Sequence, residues 1–448
     1  MKVLKINLVF FNHNIHILNK FRYMLTAIHK KNPLKWIPST WFAMGLPFVA
    51  LSTASAIMYK NFGISDTSIA FWTSLIMLPW TLKPLWGPFL EMFKTKKFFV
   101  YITQIFTGCL FGLVALSLQL DHFYSISITL FAIIAISAST HDTAADGIYL
   151  NELDSKQQAK YVGFQGAFYN IAKIVSGGFL VYVAGEFEKK FSLINAWGIV
   201  MLLYAIIMIV LGLYNMKALP TGGVSKNVNS LKESFKVLQE VIVTFFQKKN
   251  IWYGILFILC YRFAEGQAIK ITPLFFKASR SMGGLGLSTS QIGLLYGVFG
   301  AAAFVLGSIV AGYYVSSKGG LNRNSLLILC TFFNLPFAAY AFLAIVQPVS
   351  LNIIATAVAI EYFGYGFGFV GLILYIMQQM APGKYKMAHY AFGSGLTNLG
   401  FMLPSMVSGY VSDKMGYQYF FIWVLVSTIP AFLISWLVPL SKVEEEKI

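Results

Sequence analysis

Apolar stretches of helix-spanning length recur along almost the whole chain, and short polar segments separate them. An α-helix needs about 20 apolar residues to cross the hydrocarbon core of a membrane, so each stretch reads as a transmembrane helix. The tenth is too long for one straight crossing, and its glycines between 364 and 371 indicate either a bend or a tight contact with another helix. The pattern predicts an all-α integral membrane protein with twelve spans near 40–58, 68–90, 98–118, 124–150, 161–184, 193–214, 250–276, 291–315, 324–346, 349–380, 389–411 and 418–440.

One long polar connection, 215–249, divides the chain into two six-helix halves, 38–214 and 250–440. Within it, apolar residues from Leu231 to Phe246 recur at helical spacing with charged residues between them. That arrangement predicts an amphipathic helix lying on the cytoplasmic surface. Segments 1–37 and 441–448 are expected to be cytoplasmic, with translation from Met24 as an alternative start.

Composition and charge agree with a membrane body. The chain is 57% hydrophobic and 11% charged, and its net charge is +17. Of its 34 Lys and Arg residues, 24 fall in predicted cytoplasmic segments, six in external loops and four within spans. This asymmetry orients both termini toward the cytoplasm and accounts for the positive charge without a nucleic-acid partner. Three isolated cysteines inside apolar spans indicate neither a metal site nor a disulfide.

Ionisable residues at membrane depth carry the functional information. A charge at the centre of a span costs at least about 2.5–3.5 kcal/mol, so such residues usually mark substrate and ion pathways. The chain places these at membrane depth: Lys83, His141, Asp142, Asp146, Lys173, Arg262, Glu265, Lys270, Glu361 and His389.

Two acids in the fourth span share one helix face. Asp142 and Asp146 are four residues apart, and like charges at that spacing disfavour double ionisation, so one of them could hold a proton near neutral pH. The alternative is a structural salt bridge to Lys83 or Lys173.

Lys83 lies between Pro79 and Pro84 in the second span. Each proline removes a backbone donor, so the helix is expected to kink or open around a cation, an arrangement suited to an anionic group. The alternative is a kinked packing helix with Lys83 extending to the cytoplasmic surface.

In the second half, Arg262 and Glu265 are three apart and are expected to form an ion pair within one helix. Lys270 precedes Pro273, where the helix could break. Glu361 stands before the glycine run of the tenth span, which favours a position facing the pathway.

Aromatic and amide side chains near these charges are weaker candidates. Aromatic rings could stack on a sugar and amides could bind its hydroxyls, although packing in the core is the commoner role of each. They are Trp80, Tyr261, Tyr362 and Tyr365 for stacking, and Gln165, Asn170 and Gln267 for hydrogen bonds.

Several motifs carry a family resemblance. Gly87, Glu91 and Lys94 resemble the gating loop between helices two and three of the major facilitator superfamily, with Glu91 where Asp is usual. Within that superfamily the chain resembles the AmpG-type muropeptide permeases and, more loosely, acetyl-CoA transporters. The resemblance rests on GLP at 45–47, LPWTLKPLWGP at 78–88, SASTHDTAADG at 137–147, YNIAKIVSGG at 169–178, YRFAE at 261–265 and EYFGYGFG at 361–368.

This resemblance implies a secondary active transporter of the inner membrane that imports anhydro-muropeptides or related wall sugars with protons by alternating access. The family often has Arg where this chain has Asn170, and Lys173 could compensate one turn later. Alternatives are another anionic solute (acetyl-CoA, a folate-like pterin or a siderophore) or, from a different class, a membrane-embedded enzyme or a receptor. The small solute, protons and the lipid bilayer are the expected partners of a monomer without a cofactor.

Overall fold

The computed structural model describes residues 31–93, 95–222 and 231–440, and within these ranges the chain forms helices joined by loops, without a strand. Nine helices of the described residues are long and apolar enough to cross a membrane. They are Pro33–Asn61, Lys96–Ser117, Phe123–Glu152, Lys160–Glu188, Leu193–Ala218, Thr289–Ser317, Arg323–Val346, Leu351–Met380 and Ala388–Leu437.

The twelve predicted spans follow once the broken helices are included. The second span consists of Asp66–Leu75 and Leu78–Phe93, and the seventh of Ile251–Tyr261 and Phe263–Lys277. The 50-residue stretch Ala388–Leu437 holds the eleventh and twelfth spans, because Gly416 has a φ of 73° and interrupts the helix. A positive φ suits glycine, which lacks the Cβ that would clash there. The prediction of an all-α body with twelve spans is confirmed.

Both helix breaks differ in place from the prolines that were expected to cause them. The second span breaks before Leu78, so Pro79 lies near a helix start, where its missing N–H costs nothing, and Lys83 sits in continuous helix. The seventh span breaks at Arg262, whose φ is −96° and ψ 0°, while Pro273 lies inside the continuous helix Phe263–Lys277.

The glycines of the tenth span serve close packing. Helix Leu351–Tyr375 is continuous, and a Cβ on Gly364 would lie 2.2 Å from the Phe332 carbonyl oxygen. A Cβ on Gly366 would lie 2.1 Å from the Phe304 carbonyl oxygen. The glycines therefore permit tight contact with the eighth and ninth spans, and the tenth span does not bend at them.

The linker helix, Leu231–Phe246, lies at the end of the body where the last described residues pack, since Phe245 shares a core cluster with Val438 and Leu440. We call this end the linker face. Glu240 of the linker helix accepts a hydrogen bond from Lys384 at 2.9 Å. Lys248, just after the helix, donates to the carbonyl oxygens of Met380 and Pro382, each at 2.6 Å. These bonds fasten the linker helix to the second half.

At the opposite end, the far face, the two halves close on each other. Glycines allow backbones to touch there: a Cβ on Gly185 would lie 2.1 Å from the Ser290 nitrogen, and one on Gly409 2.2 Å from the Asp66 carbonyl oxygen. Nearer the linker face, the fifth span leaves open space beside Gly163. The halves therefore meet most closely at the far face.

Candidate functional site

Asp142 is held by two hydrogen-bond donors in the core of the first half. Its Oδ2 accepts from Trp80 Nε1 at 2.8 Å, and its Oδ1 lies 3.4 Å from His141 Nδ1. His141 Nε2 in turn lies 3.0 Å from Gln104 Nε2. A neutral His141 that accepts from Gln104 and donates to Asp142 satisfies every group, so this carboxylate is buried with its donors in place.

The same network continues across the bundle. Asn215 Nδ2 donates to Gln104 Oε1 at 3.1 Å, and Ser39 Oγ donates to Asn215 Oδ1 at 2.6 Å. Side chains from five of the six spans of the first half are thereby joined. Such a fully satisfied polar network fixes the packing of a core.

Asp146 has a different environment although it lies one turn away. Its side chain is 49% exposed, and its Oδ2 lies 3.8 Å from Lys83 Nζ, whose side chain is 21% exposed. Tyr390 of the eleventh span lies within electrostatic reach of both. Asp146 and Lys83 therefore line open space between the halves near the linker face, whereas Asp142 does not.

Arg262 and Glu265 form a bidentate ion pair at the break in the seventh span. Arg262 Nε donates to Glu265 Oε2 at 2.6 Å and Nη2 donates to Oε1 at 2.5 Å. The remaining Nη1 donates to the Thr397 carbonyl oxygen of the eleventh span at 2.9 Å. Glu265 is fully buried and has both oxygens bound, so the pair has the geometry in which buried charges compensate each other.

Aromatic rings surround Arg262 and a second cation, Lys173 of the fifth span. The Arg262 guanidinium lies 4.9 Å from the Phe401 ring centroid and 5.5 Å from that of Phe369. Lys173 Nζ lies 5.2 Å from the ring centroid of Phe304 in the other half and within electrostatic reach of Arg262. Among the described residues no carboxylate lies within ion-pair distance of Lys173. Two cations from different halves thus lie against one cluster of aromatic rings, and we call the region between these rings the aromatic space.

Glu361 is buried, with 1% of its surface exposed, and it lacks a cation among the described residues. Its Oε2 accepts from Tyr340 OH at 2.7 Å, while its Oε1 is buried without a hydrogen-bond partner in the described part of the chain. A carboxylate left so incompletely bound is costly, and the protonated acid removes most of that cost.

Two of the weaker candidates lie in the packed interior of the second half. Tyr261 is fully buried, donates to the Gly368 carbonyl oxygen at 2.8 Å and packs against Phe333. Gln267 is buried and accepts from Trp423 Nε1 at 2.8 Å. Both side chains have their polar atoms engaged within the second half, so neither is placed to contact a solute.

Two further weaker candidates, Tyr365 and Tyr362, lie at the aromatic space. The Tyr365 ring lies 5.2 Å from Phe304 and 5.6 Å from Phe369, so it belongs to that lining. Tyr362 packs beside Tyr296 at 5.8 Å, between the space and Glu361. The side-chain amide of Asn170 donates to the Gly166 carbonyl oxygen of its own helix, at 2.8 Å.

Gln165 is partly buried on the same helix, and its side chain makes no hydrogen bond to the described residues. Of the predicted gating loop, Gly87 and Glu91 fall within helix Leu78–Phe93, and Lys94 lies outside the described residues.

A polar cluster at the far face was missed by the sequence reasoning. Glu188 of the first half accepts from Asn61 at 2.6 Å, from Trp197 at 2.9 Å and from Thr289 of the second half at 2.7 Å. Lys277 Nζ lies 3.8 Å from the same carboxylate. These residues fall near predicted span ends, where charged residues are common and do not stand out in the sequence. Bonded partners within the cluster are also far apart in the chain, with 228 positions between Asn61 and Thr289.

Comparison with known proteins agrees with this architecture. Residues 39–388 match the family model of the Major Facilitator Superfamily. The chain belongs to that superfamily of secondary transporters, and it is a multi-pass membrane protein.

Individual relatives narrow the similarity. The chain is 23% identical over 435 residues to an AmpG-named transporter of Rickettsia conorii, covering 92% of this chain and 97% of that one. It is 21% identical to the anhydromuropeptide permease of Escherichia coli K12, covering 88% and 77%. Among solved structures, the nucleoside transporter NupG superposes with a TM-score of 0.68 at 13% identity, covering 91% of this chain and 99% of that one. The recognised resemblance to the AmpG-type permeases is confirmed at this level.

Proposed function

We propose that this chain imports anhydro-muropeptides or related wall sugars together with protons by alternating access. The observation that carries the proposal is the pair of cations, Lys173 and Arg262, contributed by different halves to one aromatic-lined space. A muropeptide offers carboxylates to the cations and a sugar ring to Tyr365 and its aromatic neighbours. The names of the relatives support the same solute class.

Arg262 alone would not serve as a free cation, because Glu265 already occupies two of its nitrogens. Lys173 has no such partner among the described residues, and its nearest aromatic neighbour, Phe304, belongs to the other half. In the proposal Lys173 binds the solute carboxylate, and Arg262 positions the aromatic wall and lends its charge. Asp146 and Lys83 line the route from that space toward the linker face.

Protons are assigned to Glu361. Of the four predicted acids, Glu265 is neutralised by Arg262 and Asp142 is bound by two donors. Asp146 is half exposed beside Lys83. Glu361 alone among these four is buried, without a cation in the described chain, and left with an unbound oxygen. It therefore favours a carboxylic acid that exchanges its proton when the surrounding packing opens.

The positive-inside asymmetry of the sequence supports an orientation in the inner membrane with the linker face and both termini on the cytoplasmic side. On that orientation the closed far face is external, and the described conformation faces inward. Alternating access then requires the far-face contacts of Glu188 and Asp66 to separate.

The direct test is uptake of labelled anhydro-muropeptide by proteoliposomes, with and without an inward proton gradient. We expect uptake above that of protein-free vesicles, and several-fold more with the gradient. Lys173→Met is expected to abolish most uptake, while Lys160→Met, which removes an exposed lysine from the same span, leaves it unchanged.

The outcomes separate the parts of the proposal. Uptake that ignores the gradient would remove proton coupling but keep the solute. Binding of acetyl-CoA, a pterin or a siderophore in a thermal-shift panel, with no shift from wall fragments, would replace the solute. Full activity of Lys173→Met would remove the proposed site.

A further inference from the structure

Lys270 is a buried cation in the second half whose side chain, among the described residues, donates hydrogen bonds only to the first half. Its surface is 3% exposed, and its Nζ donates to Thr73 Oγ1 at 2.9 Å and to the Ser52 carbonyl oxygen at 3.2 Å. Thr73 gives its own hydroxyl hydrogen to the Ile69 carbonyl oxygen, so toward Lys270 it can act only as an acceptor. Lys270 therefore ties the seventh span to the first and second spans.

No carboxylate of the described residues lies within ion-pair distance of Lys270. Two neutral oxygens compensate a buried ammonium only in part, and an apolar residue of similar volume would pack there at lower cost. The packing of this conformation alone gives no reason for a charge at this position. A different state, in which the ammonium binds an anion, would give such a reason.

The position of Lys270 shows which state that is. It lies eight residues from Arg262 and seven from Lys277, about 12 Å and about 10 Å along the helix, so it stands between the aromatic space and the far-face cluster. Ser52 lies in the π-helical segment Ala50–Ala54 of the first span, and Thr73 lies in Asp66–Leu75 of the second. In the alternating access proposed above, both acceptors would move with the first half as the far face opens, and Lys270 would then face the opened passage.

We infer that Lys270 is a switching cation, which binds the solute carboxylate when the far face is open and binds Thr73 and Ser52 when it is closed. The carboxylate part rests on the proposed function, since it takes an anionic solute as given. The Lys270 ammonium then binds either the solute carboxylate or the two oxygens of the first half, but not both at once. Closure of the far face thereby releases the solute toward Lys173.

The first experiment follows the far face without any solute. A single cysteine replaces Ser290, which is buried against Gly185 between the halves, in a chain whose Cys109, Cys260 and Cys330 are replaced by alanine. Labelling by maleimide in lipid nanodiscs reports opening. Thr73→Val leaves the buried ammonium with one acceptor fewer and is expected to raise the labelling rate several-fold, whereas Lys270→Met, which places an apolar side chain of similar volume there, is expected to leave the rate at or below the wild-type value. Unchanged labelling in Thr73→Val, with wild-type thermal stability, would overturn the tie between the halves.

The second experiment measures uptake of anhydro-muropeptide and of the same compound with its carboxylates converted to amides. Lys270→Met is expected to raise KM for the acid about tenfold or more, as loss of a charged hydrogen bond does, and to leave the amide nearly unchanged. Lys270→Arg should restore most of the loss. Thr73→Val keeps the cation and should leave KM for the acid at or below the wild-type value.

These results distinguish the inference from the proposed function. If wild-type protein carries the acid and Lys270→Met carries it equally well, the capture by Lys270 is wrong while the solute stands. If both compounds are affected alike, Lys270 is only a structural residue. If wild-type protein carries neither compound, the proposed solute and the capture step both fall, and the labelling result alone decides the tie between the halves.

Discussion

Arg262 binds Glu265 through two nitrogens across one turn of the seventh span, at the point where that span is broken. The third nitrogen group reaches the Thr397 carbonyl oxygen, which joins the break to the eleventh span. Both side chains are almost wholly buried, so each depends on the other to offset its desolvation.

Removing one partner of this pair should therefore destabilise the protein more than removing both. Arg262→Met or Glu265→Gln alone leaves an uncompensated buried group, and the cost is expected at about 3–5 kcal/mol for the arginine change. The double variant Arg262→Met/Glu265→Leu should recover much of the thermal stability but not the uptake. Thermal unfolding in detergent measures the first effect, and single variants that melt at the wild-type temperature would contradict it.

Trp80 donates the shorter of the two bonds to Asp142, at 2.8 Å, and packs edge-on against Phe48 at 5.4 Å. Trp80→Phe keeps the ring contact and removes the donor. We expect a loss of about 1.5–3 kcal/mol in stability, the usual worth of a hydrogen bond to a charged group.

The matched control for this change is Trp252→Phe, since Trp252 is largely exposed and should tolerate the change without effect. Equal melting temperatures for the two variants would show that Asp142 does not rely on the indole.

Lys248 provides a test of how the linker helix is held. Its Nζ donates to the carbonyl oxygen of Met380, the last residue of the π-helical segment Ile376–Met380, and to that of Pro382 just after it, at the end of the tenth span. Lys248→Met should release the linker helix and lower stability by about 1–3 kcal/mol, because two hydrogen bonds from a charged donor are lost, one to a partly buried carbonyl oxygen and one to an exposed carbonyl oxygen.

Lys249 is the neighbouring, exposed lysine, and Lys249→Met should change stability little. Hydrogen exchange of 231–246 measures the release directly. Faster exchange in both variants, or in neither, would exclude a specific role for Lys248.

The sequence predicted the span count, the two halves and the ion pair of Arg262 and Glu265, because each depends on hydropathy or on helical spacing within one segment. It also placed Glu361 and Lys173 at membrane depth. It failed where partners come from distant segments. The different environments of Asp142 and Asp146 depend on Trp80 and Lys83 in another span, and the burial of Tyr261 depends on Gly368.

The aromatic wall shows the same limit. Phe304, Phe369 and Phe401 are phenylalanines among 41 in the chain, and nothing in the local sequence distinguishes them from packing residues. Only the assembled helices bring these rings around Lys173 and Arg262. The helix breaks depart from expectation for a related reason: Pro79 falls at a helix start, and the seventh span opens where Arg262 turns back to Glu265.

Glu361→Gln gives the sharpest test of proton coupling. Glutamine keeps the shape of the protonated acid and can still accept from Tyr340, so folding should be preserved within about 1 kcal/mol. A residue that cannot exchange a proton should leave solute exchange between loaded vesicles intact while uptake no longer responds to an inward proton gradient. Counterflow and gradient-driven uptake, measured on the same preparation, separate these two steps.

Two companion variants complete this test. Tyr340→Phe removes the donor to Glu361 and should shift the pH at which gradient-driven uptake is lost, without abolishing it, because the donor stabilises the ionised acid. Asp146→Asn should retain gradient-driven uptake, since Asp146 is half exposed and is not the assigned proton carrier. If Asp146→Asn loses the response and Glu361→Gln keeps it, the proton belongs to the fourth span, and the unbound oxygen of Glu361 has a purely structural origin.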